Sequence, residues 1–105
     1  MNGYKRRTEQ KKASILRSAK KLFEQNGIDE TKIIEIAKIA EVSPVSIYNY
    51  FKSKEGLLRA LIEKELDESI QMYSDILDSD IPFAKKLDNI MNIKSYLFTN
   101  INNIF

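Results

Sequence analysis

Cysteine, histidine and tryptophan are absent from this chain of 105 residues, and glycine and proline are scarce, with three and two copies. Each absence removes a class of chemistry. No disulfide framework or thiol nucleophile can form, and the usual structural zinc sites lose their common ligands. Without an imidazole base, Ser-His-Asp and Cys-His arrangements are excluded. Glycines stand only at 3, 27 and 56, so no glycine-rich loop exists to cradle a phosphate. No apolar run approaches the roughly 18–20 residues that span a bilayer. The basic opening, Met1-Asn2-Gly3-Tyr4-Lys5-Arg6-Arg7, leads into no apolar segment of a secretory signal. Composition leaves room for carboxylate or lysine chemistry. The one carboxylate cluster, Glu63, Glu65, Asp67 and Glu68, has the spacing of a solvated helix face. The sequence therefore offers no catalytic residues, no metal ligand set and no cofactor site, and reads as a cytoplasmic, non-enzymatic protein without a membrane segment.

What is present is a globular composition, 43% apolar and 30% charged. The net charge of +2 conceals an asymmetry. Residues 1–56 hold 12 Lys+Arg against 7 Asp+Glu, whereas residues 57–105 hold 5 against 8. Within residues 5–21, Lys5, Arg6, Arg7, Lys11, Lys12, Arg17, Lys20 and Lys21 face a single acid, Glu9. Such a run is either a solvated helix face or an electrostatic footprint for a polyanion.

Helical periodicity runs through the chain, and the fold class it predicts is all-α. A first helix over about residues 8–26 places Ile15, Leu16, Ala19, Leu22 and Phe23 on one face, with Thr8 as a possible cap and Asn26-Gly27 as the stop. A short second helix follows Thr31, its N-cap, with Glu35 as a less well-placed box partner, and stops near Glu41. Its apolar stripe is Ile33, Ile36, Ala37 and Ala40. Ser43 as N-cap and Pro44 at the first helical position open a third helix that runs to Phe51. Ser53 caps a long fourth helix, whose Leu57, Leu58, Leu61, Ile62, Leu66, Ile70, Tyr73, Ile76 and Leu77 are read as one face. Pro82 restarts a fifth, with Phe83, Leu87, Ile90, Met91, Tyr96 or Leu97, and Phe98 on its apolar side. Residues 100–105 are ambiguous.

The informative unit is the pair of short helices over residues 31–51. A helix-turn-helix needs a small residue where its helices cross, and Ala37 supplies one; Ile36, Ala40, Val42, Ile47 and Phe51 supply the apolar surroundings. With Ile47 and Phe51 turned inward, Val45, Ser46, Tyr48, Asn49 and Tyr50 remain on or near the surface. Hydroxyls and amides on a short helix reach base edges, and tyrosine hydroxyls bond phosphate oxygens. The alternative is that Tyr48 or Tyr50 packs back on the first helix as core. Lys52 and Lys54 flank the end of the third helix.

The stretch Ala19-x-x-Leu22-Phe23-x-x-Asn26-Gly27, then Thr31, Ile36-Ala37-x-x-Ala40-x-Val42-Ser43, then Ile47-Tyr48-x-Tyr50-Phe51-x-Ser53-Lys54-x-x-Leu57-Leu58, resembles the DNA-binding domain of TetR/AcrR transcriptional regulators over about residues 10–60. The resemblance implies a three-helix head whose third helix enters the major groove of double-stranded DNA. It implies base reading by Val45, Ser46 and Tyr48. Backbone contacts would come from Thr31, Lys32, Ser43, Asn49, Tyr50 and Lys54, joined by Lys5, Arg6 and Arg7 of the basic arm. It further implies a homodimer on a near-palindromic operator, acting as a repressor, with a small-molecule effector in the full-length form. Three positions depart from the family's pattern: Glu41 stands where Gly is usual, Pro44-Val45 where Lys and Gly are common, and Lys32 where a second Thr is common.

The expected organisation is a DNA-binding domain over residues 1–56 with its basic arm, then residues 57–105 as a connecting helix and partial helical regulatory or dimerisation domain. The apolar ending Ile104-Phe105 reads as a cut edge, so the expectation is either a fragment or a short variant that dimerises through residues 57–77 and 83–105. The competing reading is a helical protein–protein interaction module whose tyrosine-rich third helix is the contact surface.

Overall fold

A computed structural model describes residues 3–105, and the fold is all-α. The described residues form α1 (Gly3–Asn26), α2 (Ile33–Ala40), α3 (Pro44–Phe51), α4 (Lys54–Leu77) and α5 (Phe83–Ile104). They fall into two compact units, one of Met1–Leu61 with Ile104–Phe105 and one of Ile62–Asn103.

In the first unit, α1 supplies Ile15, Ala19, Leu22 and Phe23 to a core completed by Ile36, Ala37 and Ala40 of α2, Ile47 of α3, Leu57 and Leu61 of α4, and Ile104. Phe23, Ile15, Ile36, Ile47, Leu57 and Ile104 are the largest apolar side chains sealed in it. Burial of each such side chain stabilises the fold by about 1.5–3 kcal/mol. The ambiguous terminal residues are thus helical to Ile104, which fills part of this core, while Phe105 stays exposed.

Helix α1 begins at Gly3, five residues before the predicted start, and Thr8 lies inside it rather than capping it. Residues 4–14 hold no breaker and are rich in Lys, Arg, Gln and Glu, which lose little freedom in a helix. The helix ends at Gly27, whose φ of 83° suits a residue without Cβ and whose N–H donates to the Phe23 carbonyl at 2.9 Å.

The N-cap of α2 is Lys32, not Thr31. Thr31 is fully buried, its hydroxyl 2.7 Å from the Gly27 carbonyl and 3.2 Å from the Leu22 carbonyl. The Thr31 hydroxyl is thus turned back towards the end of α1, and the residue that flanks α2 is Lys32. Lys32 is extended, and its N–H donates to the Glu35 carboxylate at 3.3 Å, the half of a capping box that a lysine N-cap permits.

Helix α2 ends in a Schellman turn. Glu41 takes the left-handed conformation at φ 59° and ψ 44°, its N–H donating to the Lys38 carbonyl at 3.4 Å and that of Val42 to the Ala37 carbonyl at 3.0 Å. Helix α3 then starts with Ser43 Oγ accepting from the Ser46 N–H at 3.1 Å and with Pro44 in the first turn. Ser53 opens α4 in the same way, accepting from the Gly56 N–H at 3.0 Å. A Cβ at Gly56 would overlap the Phe51 carbonyl, so only glycine lets the start of α4 pass this close to the end of α3.

In the second unit, the remainder of α4 and α5 run antiparallel, joined by residues 78–82. The Asn100 amide donates to the Glu65 carboxylate at 3.3 Å, and Lys86 Nζ donates to the Leu77 carbonyl at 2.8 Å, satisfying an orphan acceptor at the end of α4. The side-chain placement corrects the sequence reading. Leu66, Ile70 and Leu77 are exposed, whereas Glu65 and Ser69 are buried. Leu57 and Leu61 fix the inward face of α4, and steps of four carry that face through 65 and 69. The apolar residues one position further on belong to a neighbouring stripe. In α5, likewise, Phe83, Leu87, Met91, Tyr96 and Phe98 are exposed, while Ile90, Ile93 and Leu97 are half-buried.

Two substitutions in the head should move its stability in opposite directions. Glu41→Gly relieves a left-handed non-glycine residue and should raise stability by about 1 kcal/mol, which thermal unfolding would register as a higher Tm. Gly56→Ala forces α3 and α4 apart and should lower stability by about 1–3 kcal/mol despite alanine's better helix propensity.

Candidate nucleic-acid interface

The α2–α3 pair is held from behind. Ile36, Ala37, Ala40 and Ile47 are buried, and Val42 and Phe51 are half-buried against the same core. Ala37, with only a methyl group at the crossing, lets α3 lie close to α2. Because Ile47 and Phe51 face inward four residues apart, the opposite side of α3 is presented to solvent. That side carries Val45 at 65% exposure, Tyr48 at 63%, and the exposed Asn49. Valine and tyrosine this open on an eight-residue helix contribute little to the fold itself.

The serines at the start of α3 are partly committed to local structure. Ser43 Oγ and Ser46 Oγ are 3.0 Å apart and share a hydrogen bond, with Ser43 exposed and Ser46 half-buried. At the other end, Lys52 adopts a φ of 73°, its N–H donating to the Tyr48 carbonyl at 2.8 Å and its Nζ to the Asn49 carbonyl at 3.1 Å. A cation at the last turn of a helix meets the negative end of its dipole.

Three side chains expected at a phosphate backbone have other partners. Thr31 is sealed under the α1–α2 loop, so its hydroxyl cannot reach a phosphate in this conformation; the expectation for it is corrected by its burial. Tyr50 is half-buried, packed edge-on against Phe51 with ring centroids 6.4 Å apart, and Lys12 Nζ lies 5.6 Å from its ring centroid. Tyr50 therefore takes the alternative of packing back towards α1. Lys54 Nζ donates to the Thr31 carbonyl at 3.1 Å and the Asp29 carbonyl at 3.4 Å, tying the start of α4 to the α1–α2 loop.

The basic groups flank α3 rather than occupy it. Lys32 is exposed at the start of α2, and Lys5, Arg6 and Arg7 are exposed on the first turns of α1. Arg7 and Lys11 line a shallow cleft with Ser14, Ala40, Glu41 and Val42, so the basic stripe of α1 reaches the α2–α3 turn. The Ser14 hydroxyl joins the two helices there, 3.4 Å from the Ala40 carbonyl. Sequence reasoning missed the bracing of Lys54 and the close approach at Gly56. The spacing Ser53-x-x-Gly56 is the only trace of the latter, since it puts glycine at the third position of a capped helix.

Among the described residues no helix is long and apolar enough to cross a membrane. Residues 15–61 match the model of the family described as bacterial regulatory proteins, tetR family. The chain is 29% identical over 82 residues to the HTH-type transcriptional regulator LuxR of Vibrio harveyi, which covers 78% of this chain and 40% of that protein. It is 32% identical over 97 residues to the uncharacterized HTH-type transcriptional regulator YuxN of Bacillus subtilis (strain 168), covering 85% of this chain and 33% of that one. Among solved structures, a gamma-butyrolactone receptor (ArpA like protein) superposes with a TM-score of 0.77 at 25% identity, over 93% of this chain and 50% of that one. The chain thus spans half or less of the length of these relatives. The matched segment, residues 15–61, contains the α2–turn–α3 crossing and the parts of α1 and α4 on which it is seated, and in that segment the chain is similar to the tetR family of bacterial regulatory proteins.

Proposed function

We propose that this chain is the DNA-reading part of a ligand-responsive transcriptional repressor. Two copies would set their α3 helices in successive major grooves about one turn, roughly 34 Å, apart on a near-palindromic operator. The observation that carries this reading is the open side of α3, where Val45, Tyr48 and Asn49 stand clear while Ile47 and Phe51 anchor the helix from behind. Val45, Ser46 and Tyr48 read base edges in this proposal. Lys32, Ser43, Asn49, Lys5, Arg6 and Arg7 hold the phosphate backbone, and Tyr50 and Lys54 brace the surface from behind. The protein acts in the cytoplasm without catalysing a reaction.

The effector enters through α4. Leu57 and Leu61 lie in the head core, so a displacement of α4 is felt by the helices packed on them. That a solved relative is a gamma-butyrolactone receptor supports a small-molecule effector for the full-length protein.

Selection of duplexes from a random pool by the 105-residue chain should return a near-palindromic site, with binding that weakens steeply as salt rises through counterion release. A contact anchored by tyrosine on a protein partner would show no such dependence. Within that assay, Lys32→Ala should lower the salt slope by about 1. Thr31→Val should leave the slope unchanged while costing about 1–3 kcal/mol of stability, because the Gly27 and Leu22 carbonyls lose the one hydroxyl hydrogen they share.

A further inference from the structure

The base-reading surface has a chemical character of its own, and we infer that α3 recognises thymine 5-methyl groups, and through them A·T pairs, in preference to guanine. This rests on the DNA-reading function proposed above. In the major groove, guanine presents two acceptors, best met by arginine or lysine; adenine presents an acceptor and a donor, met by an amide; thymine presents a methyl group, met by an apolar side chain. Helix α3, Pro44-Val45-Ser46-Ile47-Tyr48-Asn49-Tyr50-Phe51, contains no arginine, no lysine and no acid. The cation that follows it in the sequence, Lys52, donates to the Asn49 carbonyl at 3.1 Å.

What remains exposed on α3 is Pro44 and Val45, the ring and phenol of Tyr48, and the amide of Asn49. Val45 lies in the first turn of α3, the part of a recognition helix that meets base edges, and is 65% exposed. Tyr48 is one turn further along the same side, and Pro44 precedes Val45 on the surface. On α2 the exposed Ile34 shares a cleft with Val42 and Pro44, whose lining also includes Glu35 and Lys38. The hydroxyls of Ser43 and Ser46 share one hydrogen bond and Ser43 Oγ also accepts from the Ser46 N–H, which leaves one hydroxyl hydrogen of the pair for a base edge beside Val45. The one amide of α3, on Asn49, is given to the phosphate backbone in the DNA-reading function proposed above and is not counted towards base recognition. Stability gives no reason for a β-branched residue at position 45 facing water, since valine is a weaker helix former than alanine. A methyl group in the groove does give one.

The test replaces thymine by deoxyuridine, which removes the methyl and leaves pairing intact. The duplex selected by the full chain from a random pool is resynthesised with uracil at each thymine in turn, and affinity is measured at one fixed salt concentration. One or two positions per half-site should lose affinity by about four-fold per methyl, and about sixteen-fold when both half-sites are changed. Val45→Ala should weaken binding to the thymine duplex and leave the uracil duplex unaffected, so that the two losses do not add. Val45 is exposed, so the variant should fold as the parent does, and circular dichroism checks this. A selected half-site centred on guanine, or indifference to uracil at every position while salt-sensitive binding persists, would overturn thymine recognition alone. Failure to bind any duplex in a salt-dependent way would overturn the DNA-reading function, and this inference with it.

Discussion

The reversal of the chain between α2 and α3 takes place over three residues, and it depends on one backbone torsion. Glu41 must be left-handed for the Val42 N–H to reach back to the Ala37 carbonyl, and that bond sets α3 across α2 at the point where Ala37 has only a methyl group to offer. With the turn closed, Ile47 enters the core and the opposite side of α3 can only face outward. A glutamate at this position carries strain of about 1 kcal/mol that glycine would not. The turn is held nonetheless, because the helices on both sides are fixed independently, by Ile36 and Ala40 on one and by Ser43 and Ile47 on the other.

A second set of contacts locks the head to the helix that leaves it. Thr31 occupies the centre of this set. Its hydroxyl closes the end of α1, and its own carbonyl receives Lys54 from the start of α4. Gly56 and Ser53 then bring α4 against the end of α3 without a side chain between them. The α1–α2 loop and both ends of the α3–α4 connection are therefore coupled through hydrogen bonds that involve main-chain carbonyls. The link from α4 to the α1–α2 loop is the Lys54 side chain, which reaches the Thr31 and Asp29 carbonyls from the first residue of α4.

These couplings explain what was legible in the sequence and what was not. The bounds of α3 are written in local chemistry, a serine that caps and a proline that fits the first turn, and the helix found is the helix expected. The core positions of the helix pair follow from periodicity. The roles of Thr31, Tyr50 and Lys54 do not, because hydroxyl, phenol and ammonium groups have the same chemistry whether they meet a phosphate or a carbonyl. Only the fold decides, by burying Thr31 and bringing Asp29 and Thr31 to Lys54. The buried face of α4 was misread for a related reason. Periodicity allows two stripes one residue apart, and the choice falls to Leu57 and Leu61 in the head core, which then place Glu65 and Ser69 inward. The early start of α1 was hidden because a strongly basic run resembles a frayed tail, although its residues are good helix formers.

The charge asymmetry of the sequence acquires a structural meaning from the same arrangement. The positive residues of the first 56 lie on α1, at both ends of α2, after the end of α3 and at the start of α4, whereas α3 itself is uncharged. In the DNA-reading function proposed above, the charged contacts to phosphate therefore come from elements other than α3. Attraction of this kind is salt-sensitive and blind to sequence, and contacts in the groove carry the discrimination. A cation on α3 would blur the two, because it could trade a base edge for a nearby phosphate at small cost. An apolar residue has no such alternative. Valine at position 45 gains only where a methyl group or another apolar surface meets it, so under the proposed DNA reading the lack of charge on α3 would itself be a source of selectivity.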